Sequence, residues 1–179
     1  MQADLGKNYF ELFEIPVDFQ LDLSNLSSRY RELQRRIHPD RFVNATNQER
    51  RLSMQMAALV NEAFQTLKDP LERGRYMLGL RGVDVNAETD TTMDPEFLME
   101  QMVLREALSA VRGSDEPGER VTALAHDVAS RLDKNIAFLK VSLGQDSDGS
   151  LKRARTLVRE MQFLSKLQLE VEALEEELG

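Results

Sequence analysis

Apolar residues recur along this chain at intervals of three and four, the period of α-helices that bury one face. Leu26, Tyr30, Leu33 and Ile37 form the first stripe, preceded by Asp22, whose carboxylate suits an N-cap. Leu52, Met56, Val60, Ala63 and Leu67 form a second stripe that ends at Lys68-Asp69-Pro70. Ahead of both, Tyr9 to Phe13 reads as a short aromatic helix stopped at Ile15-Pro16. Pro70 suits the first turn of a fourth helix running to about Leu80.

The periodicity then breaks. Arg81-Gly82-Val83-Asp84 and the polar run Asn86 to Thr92 carry no helical pattern. Asp94 and Pro95 restart it as N-cap and first helical residue, and three helices follow by pattern, about 95–112, 117–143 and 150–178. Their breaks lie at Gly113-Ser114-Asp115 and at Gly144 through Ser150. Long helices with short connections predict an antiparallel bundle. The expected fold is all-α: a helical hairpin with short flanking helices over 1–80, a linker over 81–93 and a three-helix bundle over 94–179.

The first bundle helix has more apolar surface than one core face needs. Phe97, Leu104, Leu108 and Val111 share a narrow sector, whereas Leu98, Met99 and Met102 lie opposite, beside Glu106. That second face either packs on the linker or the first domain, or it is a surface for a partner, a use that flexible methionines favour. In the last helix, Leu157, Met161, Leu164, Leu167, Val171, Leu174 and Leu178 make a core stripe. Phe163 stands on its flank, where it can reach the first bundle helix.

Charge divides the chain in the same place. Residues 1–80 carry 11 basic and 11 acidic side chains, and the rest carry 12 and 20, which accounts for the net −8. A basic patch on a neutral domain joined to an acidic one argues against nucleic acid and for two protein partners. The chain has no cysteine, so thiolate metal sites and disulfides are excluded, and no cofactor or bound metal is expected. Neither a signal segment nor an apolar run near the roughly 20 residues of a membrane span is seen, which leads to the expectation of a cytoplasmic monomer.

Between the first two long stripes stands His38-Pro39-Asp40. Proline fixes its own φ and pushes His38 out of the α region, so the tripeptide makes an exposed corner. Arg31, Arg35 and Arg36 project from the preceding helix away from its apolar stripe and make its solvent face cationic. The order of short helix, basic helix, His-Pro-Asp loop, antiparallel helix and terminal helix resembles the J-domain of DnaJ-type co-chaperones. Tyr9 and Leu12, Tyr30-Arg31 and Leu33, His38-Pro39-Asp40-Arg41, and Asn61-Glu62-Ala63-Phe64 with Leu67 carry the resemblance. Glu32 stands where general-purpose J-domains commonly have a basic residue.

The second half narrows it. Phe97-Leu98-Met99-Glu100-Gln101-Met102 with Leu104-Arg105-Glu106, and Phe163-Leu164-Ser165-Lys166-Leu167, are similar to the HscB-type co-chaperones of iron–sulfur cluster biogenesis. Asn8 to Phe13 and Pro70 to Tyr76 fit the same family, so the resemblance covers essentially the whole chain. It implies an adaptor. Tyr30, Arg31, Arg35, Arg36, His38, Pro39, Asp40 and Arg41 would dock on an HscA-type chaperone of the DnaK family and stimulate its ATPase. Leu98, Met99, Met102, Glu106 and Phe163 would hold an IscU-type iron–sulfur scaffold protein. Val103 and Ala110 depart from the family where acidic residues can occur, which makes the implied interface more apolar.

No enzyme is expected. His38 and Asp40 could form an acid–base pair, but the only other histidine is His126, and no nucleophile has an evident base or phosphate loop beside it. The competing function is a J-protein that brings a different client to a general DnaK-type chaperone. A helix-turn-helix nucleic-acid binder ranks below both, because its reading helix would follow the turn, whereas the basic helix here precedes it.

Overall fold

The computed structural model describes residues 6–38, 40, 46–86 and 94–178. Its elements are α1 (Tyr9–Leu12), α2 (Leu23–Ile37), α3 (Asn47–Lys68), α4 (Pro70–Leu80), α5 (Pro95–Ala110), α6 (Pro117–Leu143) and α7 (Asp148–Leu178), with a 3₁₀ turn over Val111–Gly113. The fold is all-α, and no strand occurs among the described residues. The chain divides into two compact units, Met1–Met77 and Leu78–Gly179.

Local chemistry sets the helix ends. The Asp22 carboxylate accepts from the amides of Ser24 and Asn25 at 2.9 and 3.1 Å, satisfying two of the donors that a helix start leaves orphaned. Asn8 with Glu11, and Thr46 with Glu49, close reciprocal capping boxes on α1 and α3. The Thr46 amide and hydroxyl hold the Glu49 carboxyl below its usual range. Asp94 caps α5 through the Glu96 amide at 2.9 Å, with Pro95 in the first turn. The last helix starts two residues earlier than its apolar pattern suggests, because Ser147 serves as the cap: its Oγ accepts from the Ser150 amide at 3.2 Å.

In the first unit, α2 and α3 pack as a hairpin around Leu26, Ile37, Val60, Ala63 and Leu67, and Phe10 and Phe13 close the core from α1 and the residue after it. Tyr9 of α1 stacks on Tyr76 of α4 with centroids 4.3 Å apart, and its amide donates to the Tyr76 hydroxyl at 2.9 Å. Burial, and then the hydrogen bond and charge of Glu62, push the Tyr9 phenol up to about 12.

Arg73 is buried beneath these elements. Its guanidinium lies 4.7 Å from the Phe19 ring centroid and donates at 2.8 Å to the Leu67 carbonyl, near the end of α3. Burial lowers its pKa, opposed by Asp69. Arg73→Ala removes the buried stem, the cation–π contact and the partner of that carbonyl together. It is expected to cost about 2–4 kcal/mol, seen as a lower urea midpoint at unchanged slope. An unchanged midpoint would contradict this role.

In the second unit, α6 and α7 run antiparallel: Thr122 reaches Glu175 at 2.7 Å and Asn135 reaches Glu160 at 3.2 Å. The pairs Arg105–Glu170 and Arg112–Glu177 share one sequence offset of 65, so α5 runs parallel to α7. The bundle is therefore up-down-up. Arg112 grips Glu177 with two parallel bonds of 2.6 and 2.7 Å, which hold the Glu177 carboxyl below its usual range. The core is the stripe from Leu157 to Leu174 on α7, met by Val121, Val128 and Leu139 of α6 and by Phe97 and Leu104 of α5.

Part of the stretch expected as linker belongs to this unit. Gly82, with φ of 75°, turns the chain after α4 while the Val83 amide donates to the Leu78 carbonyl at 2.9 Å. Arg81 donates to the carbonyls of Leu143 and Gln145 at 2.9 and 3.3 Å, filling acceptors that the end of α6 leaves open. Val85 is buried, and residues 87–93 lie outside those described.

Candidate protein-docking surfaces

On the first unit the candidate residues gather at the end of α2. His38 leaves the helix at φ −56°, ψ 131°, the extended conformation that a following proline demands. Its Nδ1 accepts the Asp40 amide at 3.3 Å and lies 3.5 Å from the Asp40 carboxylate. Both side chains are exposed, 58% for His38 and 86% for Asp40, so the corner keeps short contacts of its own and offers its polar groups outward. Pro39 and Arg41 lie outside the described residues.

Behind the corner is an open groove of about 1000 Å³ between α2 and α3. Arg31, Gln34, Arg35 and His38 line one wall, with Ala57 and Asn61 opposite. Arg36 points elsewhere: it borders a small hollow with Glu14, Arg29 and Glu32. The three exposed arginines thus serve two sides of α2, and only Arg31 and Arg35 share the groove with His38. Tyr30 is half-buried beside that surface. Its ring stacks on Phe64 at 4.1 Å, and its hydroxyl donates to Asn61 at 2.8 Å, so it joins the two helices.

Sequence reasoning missed Ser53. Its buried hydroxyl donates at 2.6 Å to the carbonyl of Ile37, the residue just before His38. The available signal was a hydroxyl three and seven residues before Met56 and Val60, on the stripe that faces the core. Gln34, Ala57 and Asn61 were also not picked as groove residues.

On the second unit, α5 turns a continuous apolar face to solvent. Leu98 is 42% exposed, Met99 68%, Met102 71% and Val103 63%. The i, i+4 steps from Leu98 to Met102, Met99 to Val103 and Met102 to Glu106 keep them on one face, with exposed Glu106 at its end. The opposite side of α5 is core, as Phe97 and Leu104 show.

Phe163 does not join that face as an equal. Its half-buried ring meets Phe97 edge-on at 5.8 Å, and the Arg105 guanidinium covers it at 5.5 Å while pairing with Glu170. It braces α5 against α7. His126 is a surface residue. Among the described residues no group of three or more His, Cys, Asp or Glu side chains is placed to hold a metal, and no helix is long and apolar enough to cross a membrane.

Residues 93–172 match a family model described as the HSCB C-terminal oligomerisation domain. Over 171 residues the chain is 43% identical to the co-chaperone protein HscB homolog of Shewanella amazonensis, covering 96% of this chain and 98% of that one. Its fold is similar to that of the chaperone HscB from Vibrio cholerae, with a TM-score of 0.86, 41% identity and coverage of 97% and 100%. The crystal structure of human co-chaperone protein HscB also superposes at 0.86, with 28% identity, over 96% of this chain and 83% of the human one.

Proposed function

The chain belongs to the HscB co-chaperone family, and from that premise we propose that it is an adaptor in iron–sulfur cluster assembly. It binds an IscU-type scaffold protein through the α5 face, delivers it to an HscA-type DnaK-family chaperone, and stimulates that chaperone's ATPase through the His38–Asp40 corner. One observation carries this reading: two exposed surfaces of different chemistry, one cationic beside His38 and Asp40 and one apolar on α5, lie on separate compact units. Joining two binding modules on one chain raises the local concentration of one partner at the other to the order of millimolar for short linkers. The corner acts on the chaperone by binding one of its conformations better than another. ATP hydrolysis is the chaperone's own chemistry, and the cluster is cargo on the scaffold.

The test is a titration of the full chain with purified scaffold, without and with its cluster, beside single-turnover ATPase measurements on the chaperone. Binding of scaffold together with stimulation supports the proposal. Stimulation without scaffold binding would instead favour the J-protein that serves another client. The proposed setting is the cytoplasm. A monomer is part of the proposal, and light scattering decides it against the oligomerisation named in the description of the matched model.

The groove geometry ranks the arginines. Arg31→Ala with Arg35→Ala should weaken chaperone binding by about tenfold or more and flatten its salt dependence, at little cost in stability. Arg36→Ala, on the other side of α2, should do less. Equal effects from all three would mean that the chaperone covers both sides.

A further inference from the structure

The chain has eight methionines and no cysteine, so its oxidisable sulfur is thioether sulfur. Exposure sorts the described methionines into two groups. Met56, Met77 and Met161 are 8%, 3% and 1% exposed, whereas Met54, Met99 and Met102 are 65%, 68% and 71% exposed. Met54 sits on α3 in the first unit. Met99 and Met102 are one turn apart within that face, flanked by exposed Leu98 and Val103.

We propose that Met99 and Met102 form a reversible oxidation site through which peroxide, acting on the free face, keeps the scaffold off α5; this rests on the scaffold-docking reading above. The thioether sulfur attacks one peroxide oxygen, the S–O bond forms as the O–O bond breaks, and water leaves. Sulfur is oxidised by two electrons and the peroxide is reduced. A sulfoxide reductase with a dithiol donor reverses the step: the oxygen departs as water and the dithiol becomes a disulfide. Each oxidation turns a flexible apolar side chain into a strongly polar one. In the free chain the new oxygen faces water, so α5 and the bundle keep their stability. In the complex it would enter a dry contact without a donor, and a polar group desolvated in that way opposes binding. Access controls the rate, so the buried methionines remain reduced, and bound scaffold shields the two residues it covers.

The test treats the full chain with graded hydrogen peroxide and maps oxidation by peptide mass spectrometry. Scaffold affinity, thermal unfolding and chaperone stimulation without scaffold are measured on the same samples. Met54, Met99 and Met102 should oxidise before Met56, Met77 and Met161. Scaffold affinity should fall by about tenfold or more once both α5 sulfurs carry oxygen, and a methionine sulfoxide reductase should restore it. The unfolding temperature and the stimulation without scaffold should not move. In a chain with Met99→Leu and Met102→Leu, the ratio of affinities before and after peroxide should stay near one, whatever its starting affinity. An unchanged affinity with both sulfurs oxidised overturns the proposal, as does an equal loss in the leucine variant. If untreated chain binds no scaffold, the docking reading falls and takes this site with it.

Discussion

In the Asp40→Asn variant, the stimulated ATPase rate of the chaperone is expected to fall by roughly thirtyfold or more, as befits a carboxylate withdrawn from a desolvated charged contact. The fold should not notice. Asp40 is 86% exposed, and its carboxylate lies 3.5 Å from the His38 ring nitrogen that accepts its amide. Exposed pairs of this kind contribute about 0–1 kcal/mol, so the unfolding midpoint should stay close to that of the parent. Scaffold affinity should also hold, because the proposed scaffold face on α5 belongs to the other unit. The measurement is a single-turnover ATPase assay beside a scaffold titration and a urea curve. Parental stimulation by the variant would remove the corner from the mechanism.

The second large effect is expected on α5. Replacing Leu98, Met99 and Met102 together by Ala should weaken scaffold binding by roughly a hundredfold, since a few apolar anchors commonly dominate an interface. Thermal unfolding should change little, because the three side chains are exposed and alanine suits a helix better than any other residue. Phe163→Ala should behave in the opposite manner. It removes the ring that Phe97 meets edge-on and Arg105 covers, and the bundle should melt roughly 5–10 °C earlier. Any loss of binding in that variant would come through a displaced α5. Calorimetric titration and thermal scans on the two variants separate the cases. A triple variant that binds scaffold normally would move the interface away from this face.

Much of this architecture was legible because helices advertise their faces and ends. The i, i+3 and i+4 recurrence separated Phe97 and Leu104 from Leu98, Met99 and Met102 without reference to any neighbour. Asp22, and Asp94 with Pro95, marked starts that the structure keeps. What a helical wheel cannot give is the identity of the residue across the gap. It showed Arg31, Arg35 and Arg36 as one solvent face, yet the groove takes two of them and the far side takes the third. It set Phe163 at the edge of a stripe, and only the approach of α5 makes that edge a brace. Tyr30 belonged to an apolar stripe, and its hydroxyl found Asn61 through the pairing of α2 with α3. The start of α7 moved because a serine cap outranks apolar periodicity at a helix end.

Ser53 bears on how the His38–Asp40 corner can vary over evolutionary time. The residue is 5% exposed and its hydroxyl holds the carbonyl next to His38 at 2.6 Å. Alanine removes that buried donor, and a larger side chain crowds the packing of α2 against α3. Mutational drift at position 53 is therefore expected to favour small side chains that can donate a proton. In an unbiased genetic screen, losses at this serine are expected to score with losses at the loop itself, although the residue is buried.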